Sequence, residues 1–217
     1  MGRTTEHAII IGASLAGLCA ARVLSDFYER VTVYERDNLP DGPANRAAVP
    51  QGRHVHLLMA RGAQEFETHF PGLLDDMVAA GVPILENRPD CIHFGAAGHV
   101  LGTHHKLQDE FTAYVPSRPH LEWQIRRRVT AIDNLEFVRA AVSEPRYEPG
   151  RQLVTGVVLD SGDPVGADLV VDATGRGTRL PVWLAQWGFE RPREESIDVG
   201  IGYATHELRI PDGLIAE

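Results

Sequence analysis

The chain has 217 residues, of which 43% are hydrophobic and 24% are charged, and its formal net charge is −9. This composition is typical of a globular protein and excludes collagenous, low-complexity and wholly disordered chains. The acidic balance argues against nucleic-acid binding, which depends on clustered positive charge. Only Cys19 and Cys91 are present, too few for a disulfide framework, so a cytoplasmic location is expected.

The first apolar run, residues 8–21, has about the length of a signal-peptide core. Glu6 precedes it where a signal peptide carries positive charge, and Gly12 and Gly17 divide it into strand, turn and helix. A membrane span needs about 20 apolar residues, more than this run supplies. We therefore expect a protein that is neither exported nor inserted in a membrane.

The N-terminal segment has the pattern of a βαβ unit. Residues 7–11 are continuously apolar, as in a strand buried on both faces, and residues 14–28 carry apolar side chains at helical spacing. Residues 31–35 form a second strand by propensity and alternation. The two strands should be parallel, with a right-handed crossover.

The rest of the chain alternates helices, strands and hairpins. We predict helices over 55–70, 73–80, 119–132 and through Trp183 and Trp187, strands over 135–138, 169–173 and 198–210, and hairpins at 91–101 and 146–159. Buried strands of the parallel type interleaved with hairpins indicate an α/β fold with an antiparallel insertion.

The sharpest motif is a G-x-S-x-x-G between the first strand and the first helix, made by Gly12, Ala13, Ser14, Leu15, Ala16 and Gly17. Backbone N–H groups at a helix N-terminus hold a pyrophosphate well. In such loops the first glycine permits the tight turn, the small second residue lets the backbone approach the phosphates, and the last glycine lets helix and strand pack closely. Ser14 stands where a glycine is usual and remains small enough for this role.

An acid at the end of the second strand supports the same interpretation. Glu35 lies 23 residues after Gly12, close to the spacing of the carboxylate that binds a ribose hydroxyl in dinucleotide-binding folds. A carboxylate there favours an unphosphorylated ribose, as in FAD or NAD. The motif, its context and the acid together predict nucleotide binding, and an NAD-linked dehydrogenase stays open.

A rival interpretation uses the same residues. Residues 12–16 nearly match the G-x-S-x-G nucleophile elbow of serine hydrolases, with Ser14 as nucleophile and Asp172 and His206 following in hydrolase order. An elbow needs earlier strands and a preceding loop that supplies an oxyanion N–H, and few residues precede this strand. The hydrolase is therefore a minor alternative.

The motifs in series resemble the FAD-dependent monooxygenases of the aromatic-hydroxylase type. They are HAIIIGASLAGLCAARVL, VTVYERD, RAAVPQGRHVHLL, SRPHLEWQIRRRV and ADLVVDATGRGTR. The resemblance implies a Rossmann-like FAD-binding domain interrupted by β-rich substrate-domain segments, with FAD extended over the first βαβ unit. It also implies that reduced flavin activates O₂ and passes one oxygen atom to a small, largely apolar organic substrate.

The resemblance also implies which residues contact the cofactor. The loop from Gly12 to Gly17 would hold the pyrophosphate, Glu35 the ribose, and Arg36 would lie along the adenine edge. Arg46 matches an arginine that reaches the phosphate and ribityl region. Arg118 matches a cofactor-contacting arginine, and Val142 a position whose backbone meets the adenine. No catalytic residue is assigned.

The sequence departs from the family pattern at two places. Thr174 stands in DATGR where an aspartate associated with nicotinamide use is usual, which leaves open whether the donor is NAD(P)H or a separate source of flavin or electrons. The third family fingerprint, a Gly-Asp pair, is not found. A truncated enzyme is therefore expected, with a non-catalytic or incomplete nucleotide-binding fragment as the alternative.

The remaining expectations concern domains, metals and partners. We assign residues 1–88 and 117–188 to the FAD-binding domain and residues 89–116 and 189–217 to part of a substrate domain. The spacing of the histidines, such as His54 and His56, suits no helical pair of ligands, so no metal site is expected. The expected partner is a small-molecule substrate, with no nucleic acid and no membrane, and the oligomeric state is not predicted.

Overall fold

The protein is described from a computed structural model, which covers residues 5–86, 95–100, 112–206, 208–209 and 211. The elements are, in chain order, β1 (Thr5–Ile11), α1 (Leu15–Leu24), β2 (Tyr28–Glu35), a 3-10 helix (Pro50–Arg53), α2 (Ala60–His69), α3 (Leu73–Ala79), β3 (Ile84–Glu86), β4 (Gly95–Ala96), β5 (His99–Val100), β6 (Thr112–Tyr114), α4 (Arg118–Thr130), β7 (Leu135–Arg139), β8 (Val142–Glu148), β9 (Leu153–Leu159), β10 (Pro164–Gly166), β11 (Leu169–Asp172), a second 3-10 helix (Gly175–Gly177) and α5 (Leu180–Gln186).

A four-stranded parallel sheet forms the centre of the fold, in the order β11-β1-β2-β7. Its middle strands are buried on both faces, and Ile9, Ile10, Val31 and Val33 are fully buried. Continuously apolar strands are what a sheet covered on both sides requires, which is why the β-branched run of β1 lies at its centre. The predicted parallel βαβ unit is confirmed.

The two faces of this sheet pack against different layers. Ala8 and Ile10 pack with Leu18 of α1 and Ile125 of α4 on the helical side. The alternate residues of β1 pack on the opposite side with Val157 of β9, in a three-stranded antiparallel sheet of order β10-β9-β8. The period-two alternation of a strand thus supplies both cores from one segment. The predicted α/β fold with an antiparallel insertion is confirmed.

The boundaries of several elements differ from the sequence-based predictions. The first helix ends at Leu24 rather than at residue 28, because the chain turns there and β2 already begins at Tyr28. The predicted helix over 55–70 begins only at Ala60. Before it, Leu58 exchanges backbone hydrogen bonds of 2.8 and 3.0 Å with Tyr114, and this bridge requires extended backbone.

The C-terminal strand prediction over 198–210 is wrong for the residues that are described there. Residues 198–206, 208, and 209 form neither strand nor helix. Their alternating apolar side chains, among them Val199, Ile201 and Tyr203, are largely exposed. A strand needs a neighbour for its N–H and C=O groups, and no described segment pairs with this one. The hairpin predicted at 91–101 has strands at 91–94 and 99–101 around a turn at 95–98. Residues 91–94 and 101 lie outside the described residues, and within the rest Gly95–Ala96 of the expected turn pairs as β4 with β5.

No helix in the described parts of the chain is long and apolar enough to cross a membrane.

Candidate functional site

The loop between β1 and α1 follows the tight path expected of a glycine-rich turn. Gly12 has φ +101°, a conformation that side-chain-bearing residues rarely adopt, and its N–H donates to the Tyr34 carbonyl at 2.8 Å. A Cβ at Gly12 would lie 2.9 Å from the Ala173 carbonyl oxygen. The loop therefore packs between β2 on one side and the end of β11 on the other.

Gly17 sets the distance between the first turn of α1 and the end of β1. A Cβ on this residue would lie 1.9 Å from the Gly12 carbonyl oxygen, a separation that no real side chain tolerates. Only glycine lets the helix start so close to the strand, which is the packing role predicted for the last glycine of the motif. The helix N-terminus is thereby held at the carboxyl edge of the sheet.

The N-terminus of α1 is not capped by a side chain. Ser14 is the N-cap residue, but its hydroxyl makes no bond to the first helical turn. The first N–H groups of a helix lack intrahelical acceptors, so those of Leu15, Ala16 and Gly17 are donors for an external group. Positive helix dipole and unpaired donors together suit an anion at this position.

Glu35 lies at the end of β2 with its carboxylate turned toward the loop. Its Oε2 accepts the Ala13 N–H at 2.9 Å, and its Oε1 accepts the Asp37 N–H at 2.9 Å. Burial alone would raise the pKa of Glu35, but the N–H donors of Asp37 and Ala13 and the guanidinium of Arg46 lower it overall. The carboxylate is therefore ionised at neutral pH and is fixed in orientation.

Arg46 joins this carboxylate to a second one. Its Nη2 lies 2.7 Å from Glu35 Oε2, and its Nη1 donates to Glu122 Oε1 at 2.8 Å and to the Ala13 carbonyl at 3.2 Å. Burial would lower the pKa of Arg46, but its hydrogen bonds to Glu122 and Glu35 raise it. The loop over 38–50, which carries Arg46, is thus anchored directly on the glycine-rich turn.

Glu122 of α4 completes the cluster from the other side. Its Oε2 accepts the Ser14 hydroxyl at 3.1 Å and lies 2.9 Å from Arg118 Nη1, while Arg118 Nη2 donates to Ser14 Oγ at 3.0 Å. The side chains of Glu35, Arg46, Glu122 and Arg118 are each at most 9% exposed. We name these four residues, together with Ser14, the loop cluster.

One guanidinium donor of the loop cluster, Arg46 Nε, has no partner among the described residues. Among the buried side-chain N and O atoms of the described residues, four lack a partner in hydrogen-bond geometry, and three of these are Arg46 Nε, Arg118 Nη1 and Asp37 Oδ2. Two of these three atoms are ion-paired all the same, because Arg118 Nη1 lies 2.9 Å from Glu122 Oε2 and Asp37 Oδ2 lies 3.7 Å from Arg46 Nη2. Buried polar groups are normally paired, so the remaining donor, Arg46 Nε, is available to another molecule. A guanidinium donor of this kind matches an oxygen of a phosphate.

Arg46 and Arg118 also share a small cavity. Its lining is completed by six residues: Ala44, Asn45, Val49, Gly52, Pro119 and Glu122. A Cβ on Gly52 would come within 2.6 Å of the Asn45 side chain, so this corner of the site is tightly packed.

The other predicted contact residues lie around the cluster rather than in it. Arg36 follows Glu35 and is exposed. Val142 opens β8, two residues after Ala140, whose N–H donates to the Glu35 carbonyl at 3.1 Å. The chain that carries Val142 therefore passes close to the end of β2. These two residues are near the acid in the fold, but the structure joins neither side chain to the cluster.

The DATGR segment lies beside the glycine-rich turn. The Ala173 N–H continues the parallel ladder by donating to Ile11 at 2.9 Å, and Asp172 accepts the Thr174 N–H at 3.0 Å. The Asp172 carboxylate also accepts the hydroxyls of Thr174 and Thr178. This carboxylate is therefore occupied in shaping the turn after β11.

Glu122 is the member of the cluster that sequence reasoning missed. The signal was the i,i+4 spacing of Arg118 and Glu122 on a predicted helix, which places opposite charges on one face. Their burial could not be read from the sequence, because it depends on α4 packing against α1 and the loop that carries Arg46. Within the described residues, no group of three or more histidine, cysteine, aspartate or glutamate side chains is arranged to hold a metal ion.

The fold is that of a Rossmann-type α/β domain. A parallel sheet carries a glycine-rich turn and an uncapped helix N-terminus at its carboxyl edge, with an ionised carboxylate at the end of the second strand.

The sequence relatives of the chain include a monooxygenase, in agreement with the resemblance predicted from the motifs. No protein-family model matches the chain. Protein Rv3254 of Mycobacterium tuberculosis is 67% identical, over 100% of this chain and 48% of its own length. Kynurenine 3-monooxygenase of Salinispora arenicola is 31% identical, over 81% of the chain and 37% of the enzyme. The chain thus spans about half or less of the curated relatives that it matches.

The solved structures extend this likeness to the fold. PqsL, a probable FAD-dependent monooxygenase from Pseudomonas aeruginosa, superposes with a TM-score of 0.62 at 18% identity, covering 88% of this chain and 48% of PqsL. The predicted resemblance to FAD-dependent monooxygenases is therefore confirmed, and the chain has the fold of about half of such a protein.

Proposed function

We propose that the chain binds FAD and belongs to a flavin-dependent monooxygenase that acts on a small, largely apolar organic molecule. The observation that carries the proposal is the loop cluster, where two buried guanidinium groups, one of them with an unpaired Nε, lie beside an uncapped helix N-terminus. Guanidinium groups and a helix N-terminus both attract the negatively charged oxygens of a diphosphate. The sequence likeness to a kynurenine 3-monooxygenase supports the choice of flavin and of reaction class.

The contacts of the described residues give each part of the site a role toward FAD. The loop from Gly12 to Gly17 would hold the pyrophosphate through its backbone, Arg46 Nε would supply an unpaired donor, and Arg118 would add positive charge beside the turn. Glu35 would accept a ribose hydroxyl, since its Oε1 has one protein donor and can accept a second bond. Val142 and Arg36 would border the adenine.

The domain assignment also remains a proposal. Residues 1–88 and 117–188 would form the FAD-binding domain, and residues 89–116 and 189–217 would belong to the substrate domain. The exposed apolar side chains of Ile197, Val199, Ile201 and Tyr203 support this division, because they have no cover in the described residues. A substrate domain would give these side chains a neighbouring sheet.

Bound, reduced FAD would supply the oxygen chemistry, which no protein side chain provides. The overall reaction consumes reduced flavin, O₂ and the substrate and yields oxidised flavin, the hydroxylated or epoxidised product and water. The electron donor is left open between NAD(P)H and a separate reductant. The solved complex of PqsL with 2-aminobenzoylacetate supports a small-molecule substrate.

The first test is retention of the cofactor. The purified chain is incubated with FAD, desalted and examined by visible absorption. We expect a retained flavin spectrum at about one flavin per chain. Loss of all flavin from a chain that circular dichroism shows to be folded would contradict the proposal.

The second test concerns the reaction. The FAD-loaded chain is reduced without oxygen and then mixed with O₂ and either kynurenine or 2-aminobenzoylacetate, and products are analysed by mass spectrometry for the gain of one oxygen atom. A Ser14→Ala variant distinguishes the flavin proposal from the hydrolase alternative. If Ser14 were a nucleophile, the variant would lose ester cleavage. Under the flavin proposal it only weakens FAD binding.

A further inference from the structure

Glu122 stands out because it is a buried carboxylate with a guanidinium on each oxygen. Arg46 Nη1 lies 2.8 Å from Oε1, and Arg118 Nη1 lies 2.9 Å from Oε2. A third guanidinium, that of Arg126, has its Nη1 3.9 Å from Oε1. Burial lowers the pKa of Arg126, an effect that Glu122 opposes. The carboxylate is therefore the shared counter-ion of cations from a loop and from a helix.

The two arginines would repel one another without this carboxylate. Both guanidinium groups lie within 3 Å of the same side chain and are almost fully excluded from water, where like charges interact strongly. Arg46 has an alternative partner in Glu35, but Arg118 has only Glu122 and the Ser14 hydroxyl among its described partners. Loss of the negative charge would let the two side chains move apart.

Glu122 and Glu35 together fix the orientation of Arg46, and Glu122 and Ser14 fix that of Arg118. Arg46 uses both of its terminal nitrogens on protein acceptors, which leaves Nε free of a partner in hydrogen-bond geometry. Arg118 donates from Nη2 to Ser14, and its Nη1 makes an ion pair with Glu122 but no hydrogen bond of good geometry. Ser14 itself belongs to the glycine-rich turn, so both arginines are fixed relative to it.

We propose that Glu122 is a positioning residue, whose carboxylate holds the guanidinium groups of Arg46 and Arg118 side by side so that their positive charge lies beside a diphosphate on the glycine-rich turn. This inference rests on the proposed function. Preorganised donors bind a ligand without the entropic cost of ordering two long side chains at that moment. Glu122 touches no ligand itself, and its effect passes through the two arginines and Ser14.

The inference predicts a loss that depends on phosphate. Glu122→Gln keeps the shape of the side chain and removes its charge. We expect it to weaken binding of FAD and of ADP about tenfold, the effect of one lost hydrogen bond to a charged group. Binding of adenosine, which has ribose and adenine but no phosphate, should change little because Glu35 is untouched. A purely structural defect would weaken all three ligands together.

The experiment measures dissociation constants for FAD and ADP by calorimetry and for adenosine by NMR titration. Glu65→Gln is the matched control, because it makes the same charge change on α2 in an exposed ion pair with Arg61. Glu122→Asp is the second variant, since it keeps the negative charge but is too short to reach both arginines. It should weaken ADP binding in the same phosphate-dependent manner.

The outcomes separate the two proposals. If the folded wild-type chain binds neither FAD nor ADP, the proposed function fails, and the role of Glu122 fails with it. If the wild-type chain binds both ligands and Glu122→Gln binds ADP equally well or more tightly, only the positioning role is overturned. Equal losses for ADP and adenosine would also overturn it. A selective loss of ADP and FAD binding in the Glu122 variants alone would establish it.

Discussion

Replacing Gly17 by alanine tests the packing on which the whole site depends. The added Cβ would lie 1.9 Å from the Gly12 carbonyl oxygen, whereas ordinary contacts are about 3.5 Å. The neighbour is backbone, so α1 must move away from β1 by roughly 1.5 Å. Overpacking of this kind costs about 3 kcal/mol, and the higher helix propensity of alanine returns about 1 kcal/mol. We expect a net loss of about 2 kcal/mol in the free energy of unfolding.

The assay combines thermal unfolding with ADP binding. A loss of about 2 kcal/mol lowers Tm by roughly 4–8 °C in a domain of this size. Because the movement displaces the N–H donors of the first helical turn, ADP binding should fall as well, at a temperature where the variant is still folded. Both effects arise from the same displacement, so they should appear together.

Gly62→Ala provides the matched control in a different helix. A Cβ there meets only the end of the Leu58 side chain, at 3.1 Å, which can move aside. This variant should be as stable as the wild type or more stable by up to about 1 kcal/mol, with unchanged ADP affinity. If Gly17→Ala matches Gly62→Ala in both Tm and ADP affinity, the reasoning about the close approach of α1 and β1 is refuted.

Three further predictions concern charge and pH. Glu35→Gln should lower the free energy of unfolding at neutral pH. Because the pKa of Glu35 is lowered in the folded state, the difference in free energy of unfolding from the wild type should persist above about pH 4.3 and close as the pH falls further. A difference that stays constant down to about pH 2.5 would contradict this. Arg46→Gln leaves two buried carboxylates without their shared cation and should cost about 3–5 kcal/mol in denaturant titrations, so a cost under 1 kcal/mol would refute the ion-pair account. Burial lowers the pKa of His7 in β1, so the free energy of unfolding of the wild type should fall as the pH drops below about 6.5. His7→Gln should remove part of that slope, and identical slopes for the two proteins would contradict this prediction.

The local parts of the fold could be predicted because they depend on neighbours in sequence. The run of β1, the turn at Gly12 and Gly17 and the helix after it follow from hydrophobic pattern and backbone sterics within some thirty residues. The same holds for the hairpin of β8 and β9, whose turn lies between two β-rich segments. In these cases local propensity and final packing agree.

The parts that could not be predicted depend on contacts between distant segments. Glu122 and Arg46 are 76 residues apart in sequence and meet only because α4 and the loop over 38–50 pack on the same turn. For the strand expected over 198–210, the local pattern is present but the distant contact is missing. Its alternating pattern is real, but Val199 and Ile201 find no pairing partner among the described residues, so the pattern alone did not produce a strand.

The most direct test of the account is a calorimetric titration of the folded chain with FAD, repeated with Gly12→Val. Valine at position 12 cannot adopt a φ of +101° without strain and would collide with Ala173, so the turn cannot form as it does in the wild type. The account predicts saturable binding of about one FAD per wild-type chain, with binding lost in the variant. Absence of binding to the folded wild-type chain, or equal binding by both proteins, would contradict it.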